Sequence, residues 1–181
     1  MATSLLPIIQ PPSAKKKIHP ADVIKDIKPQ DLEGLNVVFI NMPLRETAVP
    51  NVTPEGSLLM ATRLRNNYGV NASIIDLNAY RIKDTAAQEH KLVNGRHLND
   101  EEVLGLIKRH FKAHGEPDVV AFSGKITTHT WQKKMAKMVR KVAPNTFLVS
   151  GGGLATELKV GLFKYIPELD AAAHSEGDDI I

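Results

Sequence analysis

Three consecutive glycines, Gly151-Gly152-Gly153, stand between a short apolar run and a leucine-spaced segment. Glycine lets backbone approach a flat or bulky ligand closely and permits positive φ. A helix start directly behind such a turn offers free N–H groups to an anion. The same residues also suit a tight strand-to-helix turn with no ligand, and the glycine count alone leaves both readings open. A second stretch, Ser123-Gly124-Lys125-Ile126-Thr127-Thr128, places small and hydroxyl side chains after another apolar run. A third, Asn41 to Val52, contains Met42, Pro43, Leu44, Arg45, Glu46 and Thr47, and Thr156 lies just past the last glycine.

Several chemistries are excluded by what is missing. A dinucleotide fingerprint needs G-x-G-x-x-G after the first strand, where this chain has Asn41-Met42-Pro43-Leu44-Arg45-Glu46. The phosphate loop G-x-x-x-x-G-K-[ST], H-E-x-x-H and any Ser/His/Asp arrangement are absent. The seven histidines are scattered. His129 falls beside the hydroxyl loop, but a lone histidine there reads as a surface or helix residue. The sequence has no cysteine, so disulfides, thiolate zinc sites, a cysteine nucleophile and an iron–sulfur cluster are excluded within this chain. Net charge is +3 with the basic residues spread along the chain, so no nucleic-acid partner is expected. The run Lys15-Lys16-Lys17 reads as a solvated tail. No apolar run approaches the ~18 residues that would span a bilayer. The start lacks the basic n-region of a signal peptide, and a cytoplasmic location is expected.

The elements that must position these stretches follow from periodicity. Residues 1–33, with Pro11-Pro12 and Pro20, read as an N-terminal arm, and residues 34–181 as one α/β domain. Leu35 to Ile40 reads as a strand buried on both faces. Thr53-Pro54-Glu55 reads as a helix start, with Thr53 as the capping oxygen and Pro54 at the first helical position. Ala61, Leu64 and Tyr68 then share a face, and Gly69 ends the helix. Val70 to Leu77 is the second strand. A polar connection, Asn78 to Leu98, leads to a capping box, Asn99 with Glu102. That box opens a helix with Leu104, Ile107 and Phe111 on one face. Asp118 to Phe122 and Thr146 to Val149 are the third and fourth strands. Between them Trp131, Met135, Met138, Val139 and Val142 form a helical core stripe. One last helix carries Leu154, Leu158, Leu162 and Tyr165, and Leu169 to His174 is the fifth strand. This alternation implies a doubly wound parallel sheet in the order 2-1-3-4-5, Rossmann-like or flavodoxin-like. Ligands of such sheets bind outside the carboxyl ends of the strands. Those ends are the three stretches named first. Glu176-Gly177-Asp178-Asp179 reads as the start of a further helix, as though the chain were truncated before another domain.

The ordered set Val37–Pro43, Pro54–Leu59, Tyr68-Gly69, Asp118–Ser123, Val149–Thr156, Asp170 and Glu176–Asp178 resembles the N-terminal cobalamin (B12)-binding domain of cobalamin-dependent radical-SAM proteins, methyltransferases and cyclases among them. The resemblance covers about residues 35–181. It implies that cobalamin, a cobalt and metal-binding cofactor, lies over the strand ends with its nucleotide tail in the sheet crevice. Ser123, Gly124, Lys125, Ile126, Thr127 and Thr128 would flank the tail, and Gly151, Gly152 and Gly153 would let it pass with Thr156 nearby. Glu176 and Gly177 would border the corrin or nucleotide loop. Met42, Leu44, Arg45 and Thr47 would lie under the cobalt. S-adenosylmethionine and a [4Fe-4S] cluster would belong to a missing catalytic domain, in cis or in trans, and this chain alone would catalyse nothing. The chain departs from cobalamin carriers that ligate cobalt through D-x-H-x-x-G, because it has no histidine between His19 and His90. The bound cofactor is therefore expected base-off, without a histidine ligand. A cofactor-free flavodoxin-like interaction or regulatory domain is the alternative, although strand one ends in Asn41 rather than the acid a regulator needs. A small enzyme acting on a nucleotide or sugar is a third reading, and no acid–base pair supports it.

Overall fold

The apolar run after Leu35 becomes strand β1, Asn36–Asn41, and every later run joins it in parallel. The structure is a computed structural model that describes residues 28–44, 53–93 and 95–174. Strands β2 (Asn71–Asp76), β3 (Val119–Ser123), β4 (Phe147–Gly151) and β5 (Ala171–Ala172) complete one sheet in the order β2-β1-β3-β4-β5. The helices are α1 (Glu55–Tyr68), α2 (Thr85–Glu89), α3 (Asp100–His114), α4 (His129–Val142), α5 (Gly153–Leu158) and α6 (Gly161–Tyr165). This is the doubly wound α/β order that the alternating pattern predicts.

Strand order decides which helix covers which face. From β1 the chain steps outward to β2, then returns past β1 and steps the other way through β3, β4 and β5. Right-handed crossovers therefore put α1 on one face and the later helices on the other. The apolar clusters divide accordingly. Val38, Ile40, Val120, Phe122 and Leu148 bury against Val103, Ile107 and Phe111 of α3, Met135 and Val139 of α4, and Leu154 and Leu162 of α5 and α6. The alternate residues Val37, Phe39 and Ala72 bury against Ala61 and Leu64 of α1.

Several local expectations shift, each for a visible reason. Helix α1 begins one residue later than the proline pattern implies. Pro54 occupies the cap position without a side-chain bond, and its carbonyl accepts from the Leu58 N–H at 2.9 Å. Gly69 ends that helix at φ +64°, as expected. On α3 the buried row is Val103, Ile107 and Phe111, an i, i+4 series, so Val103 replaces Leu104 at the core. The polar connection is structured. It holds a 3₁₀ turn at Leu77–Ala79, helix α2, and an antiparallel bridge between Ile82 and Arg96. Arg96 ties it down, donating to Asp84 and, at 2.7 Å, to Glu102 of the capping box. The last predicted helix is two. Lys159 adopts φ +48° and ends the helix after Leu158, which is partly exposed, while Leu154 and Leu162 both remain fully buried. Strand β5 pairs only at Ala171 and Ala172. Pro29–Leu32, on the arm side of the expected boundary, form a 3₁₀ turn, and Leu32 packs on the α1 cluster. The expected arm through Ile27 lies outside the described residues.

Candidate functional site

The ends of β1, β3 and β4 lie side by side. Asn41 pairs with Ser123, and Ser123 pairs with Gly151. Side chains alternate along a strand, so these three residues face the α1 side with Val37, Phe39, Val119, Ala121 and Val149. Helix α1 covers that face over β1 and β2, where Val37, Phe39 and Ala72 are buried and Ile74 is half-buried, and Val119 and Ala121 of β3 pack against the edge of the same cluster. Over β3, β4 and β5 the face is incompletely covered among the described residues: Val119, Ala121, Val149 and Ala171 are half-buried, and Phe147 is 47% exposed. The partly covered strip of sheet that results, the trough, carries Val119, Phe147, Ala121 and Val149, with Ser123 and Gly151 at its carboxyl end.

The three glycines at its rim differ in kind. Gly152 has φ +80°, and a Cβ on it would stand 2.9 Å from the Gly124 carbonyl oxygen. That carbonyl also accepts from the Leu154 N–H at 3.2 Å. Gly152 is thus required by the close passage of the β3–α4 loop over the β4–α5 turn, which is the tight-turn explanation. Gly153 is exposed and has nothing within 4 Å of its Cβ position. At Gly151 the nearest atoms, Ala173 Cβ and the Phe122 carbonyl oxygen, are 4.0 Å away. Gly153 therefore leaves open space that packing does not use, whereas a Cβ at Gly151 would make ordinary contact with its neighbours.

The other predicted residues separate. Gly124 is buried beneath Gln132, whose Nε2 would lie 2.6 Å from a Cβ at that position. Thr128 is buried, its Oγ1 accepting from the Lys125 N–H at 3.0 Å and donating to the Lys125 carbonyl at 2.9 Å. That turn leaves Lys125, Ile126 and Thr127 exposed beside the trough. Thr156 donates to the Gly152 carbonyl at 3.1 Å, back along its own helix. Met42 is 2% exposed and belongs to the core cluster with Ile40 and Leu77, so its side chain does not line the loop surface. Leu44 is half-buried. Arg45, Thr47, Glu176 and Gly177 lie outside the described residues. His129 opens α4 with its Nδ1 donating to the Ile126 carbonyl at 2.7 Å, a helix-start role.

Asp76 and Asn78 were not anticipated from sequence, nor was the pairing of Asp76 with Asn41. Asn41 Nδ2 donates to Asp76 Oδ1 at 2.6 Å, across the ends of β1 and β2. Their signal was available: polar residues closing two otherwise apolar strands at the same end. Behind the sheet, the Ser150 hydroxyl donates to Gln132 Oε1 at 3.0 Å, both fully buried, which fastens α4 to β4. A concavity of about 480 Å³ lies apart from the trough, between Trp131 and Lys134 of α4 and the His97–Glu101 stretch. Among the described residues no three His, Cys, Asp or Glu side chains are arranged to hold a metal ion. Likewise, no helix among them is long and apolar enough to cross a membrane.

No family model matches this sequence. A stretch of 63 residues is 36% identical to the cobalamin-dependent radical SAM methyltransferase TokK of Streptomyces tokunonensis. The match takes in 35% of this chain and 9% of the length of that protein.

Proposed function

We propose that this chain is a cobalamin-binding module that works with a radical-SAM catalytic domain, in cis or in trans. The observation that carries the reading is the half-covered trough at the carboxyl ends of β1, β3 and β4. Ser123 and Gly151 close its floor with small residues, Gly153 at its rim leaves unfilled space, and it sits where doubly wound sheets take their ligands. The partial likeness to a cobalamin-dependent radical SAM methyltransferase supports the same cofactor. In this reading the nucleotide tail lies along Ala121, Ser123, Val149 and Gly151, and the corrin covers the strand ends. Ser123 offers the tail a hydroxyl that can donate or accept. The Lys125–Thr127 edge and the start of the loop after β1, as far as Leu44, would border the ring. When bound, cobalamin supplies cobalt–carbon chemistry, the carriage of a methyl group on its upper face. The S-adenosylmethionine and [4Fe-4S] chemistry resides on the catalytic domain, because this sequence contains no cysteine to hold a cluster.

Between His19 and His90 there is no imidazole to ligate the lower face of cobalt. Arg45 cannot ligate, having no lone pair to give. With no imidazole from this loop, the chain would hold the cofactor base-off. Incubation with hydroxocobalamin followed by desalting tests binding through the retained visible spectrum. Retention of no cofactor would overturn the proposal and leave the cofactor-free interaction domain. Electron paramagnetic resonance of the cob(II)alamin form tests the lower face. Absence of axial-nitrogen superhyperfine splitting is expected, and its presence would refute the base-off assignment.

A further inference from the structure

Pairing of β1 with its neighbours ends at Asn41, yet the chain beyond it is held. The Leu44 N–H donates to Asn78 Oδ1 at 3.1 Å, a contact across 34 residues of sequence. Asn78 is fully buried in the turn that follows β2. The Asp76 carboxylate accepts from the Asn78 backbone N–H at 3.1 Å and so sets the turn. A second donor, Arg81 Nη2, reaches the same Oδ1 at 3.1 Å. Two donors converging on one oxygen fix the orientation of the amide, since Nδ2 in that place would face both of them. The Nδ2 itself is buried without a hydrogen-bond partner, so the oxygen is the amide atom that makes the contacts.

Arg81 extends the connection. Its Nη1 donates to the carbonyls of Asn78 at 3.0 Å and Tyr80 at 3.1 Å, and lies 2.8 Å from His97 Nδ1. A guanidinium has no lone pair, so His97 accepts at Nδ1 and carries its proton on Nε2. His97 meets Trp131 of α4 edge-on, with ring centroids 6.0 Å apart. A continuous set of contacts thus runs from the backbone past β1 to the first turn of α4, and Asn78 is its joint.

We propose that Asn78 is a positioning residue. Its carboxamide oxygen stands in for the strand partner that β1 has lost, and it sets where the loop after β1 leaves the sheet. The structural part stands alone. Its consequence for ligand binding rests on the cobalamin reading, in which that loop borders the ring.

The test uses the full chain, the variants Asn78→Leu and Asn78→Asp, and two readouts. Amide hydrogen exchange followed by NMR should show Leu44 protected in the parent. In Asn78→Leu the Leu44 rate should rise about tenfold or more while Val38 and Ile40 stay protected, whereas Asn78→Asp, which keeps an acceptor oxygen, should restore protection. Hydroxocobalamin affinity should fall about tenfold in Asn78→Leu and recover in Asn78→Asp. A Leu44 amide that exchanges freely in the parent would overturn the clamp, and this measurement needs no variant to fold. Unchanged Leu44 exchange in a folded Asn78→Leu would also overturn it. Protection of Leu44 with no cobalamin bound by the parent would refute the cofactor reading and leave the clamp standing. Equal cobalamin binding by the parent and a Leu44-deprotected variant would overturn the link between the two.

Discussion

Gly152 and Gly153 are neighbours with opposite constraints, and substituting each separates packing from ligand binding. In Gly152→Ala the new methyl enters at φ +80° and 2.9 Å from the Gly124 carbonyl oxygen. The extended backbone at positive φ (φ +80°, ψ −168°), a region open essentially to glycine alone, costs an alanine on the order of 1 kcal/mol. The contact costs about 1–3 kcal/mol more, because that carbonyl is held by the Leu154 N–H and cannot simply retreat. The sum, about 2–4 kcal/mol, corresponds to a melting midpoint lowered by roughly 5–15 °C in a chain of this size. Gly153→Leu enters open space, and its effect on stability should stay within about 0.5 kcal/mol. In the cobalamin reading, its four-carbon side chain would crowd the rim where the cofactor sits. Crowding worth about 1–3 kcal/mol would weaken hydroxocobalamin roughly tenfold to a hundredfold. Thermal unfolding by circular dichroism and a cobalamin titration read the two effects. A Gly153→Leu protein that melts and binds like the parent refutes the placement of ligand at the glycine rim. An unchanged midpoint in Gly152→Ala refutes the close approach of the two loops.

Acid should loosen the connection before α3. The Arg96 hydrogen bond, with the Asn99 N–H, holds Glu102 down from 4.5 to about 2, and the Ala87 N–H with Arg96 lowers Asp84. Groups depressed on folding stabilise above their unfolded values and lose that contribution as pH falls. The melting midpoint should therefore drop between about pH 4.5 and about pH 2, and an Arg96→Met protein that shows the same drop would contradict this origin. Burial, and then the neighbouring His114, lower His110, whose Nε2 meets the Ser73 hydroxyl at 2.8 Å. The unfolded chain takes that proton first, so stability falls as pH drops below about 6.5, and His110→Gln should flatten the step in a pH series of melting curves. Leu162→Ala, at a fully buried position, should cost about 2–5 kcal/mol in denaturant unfolding, and a cost under about 1 kcal/mol would mean that α6 does not close the core.

The sheet was legible because its signal is local and repeated. Five apolar runs separated by helical spacing admit few arrangements, and connection handedness narrows them further. Boundaries were less legible where tertiary contacts override propensity. Leu104 and Val103 are equally apolar, and only the direction from which the sheet approaches α3 selects Val103. Leu154, Leu158 and Leu162 look like one stripe, yet the left-handed turn at Lys159 breaks it. Met42 reads as a loop residue by position and is core by packing. For the site, the sequence brought Ser123 and the glycines to one end of the sheet. It could not tell Gly152, needed by a neighbouring loop, from Gly153, which touches nothing. That difference lies in the distance between two turns that are 28 residues apart, from Gly124 to Gly152, and no pattern in either turn records it. Asn78 was illegible for the same reason, since its acceptor role depends on where Leu44 passes.

The two faces of the sheet differ in what they can do. The face under α3, α4, α5 and α6 is closed: Val38, Ile40, Val120, Phe122 and Leu148 are all buried, and even its polar pair, Ser150 with Gln132, is internal. A close-packed surface of this kind is stiff and holds the strand ends in register. The α1 face is covered best over β1 and β2, partly over β3, and least at Phe147 of β4. Its exposed half changes from apolar to polar along the strands, from Val119 and Phe147 through Ala121 and Val149 to Ser123 and Gly151. A ligand entering from the strand ends would meet hydroxyl and backbone groups first and apolar floor further in. That gradient suits a molecule with a polar rim and a flat, weakly polar end, and it is reversed for a charged substrate that needs its countercharge deep in the site. The doubly wound order also separates the parts by role, since the stiff face fixes Ser123 against Gly151 while the clamp at Asn78 acts on the loop beside them. Rigid floor and adjustable border are therefore built from different elements, and a change in one need not distort the other.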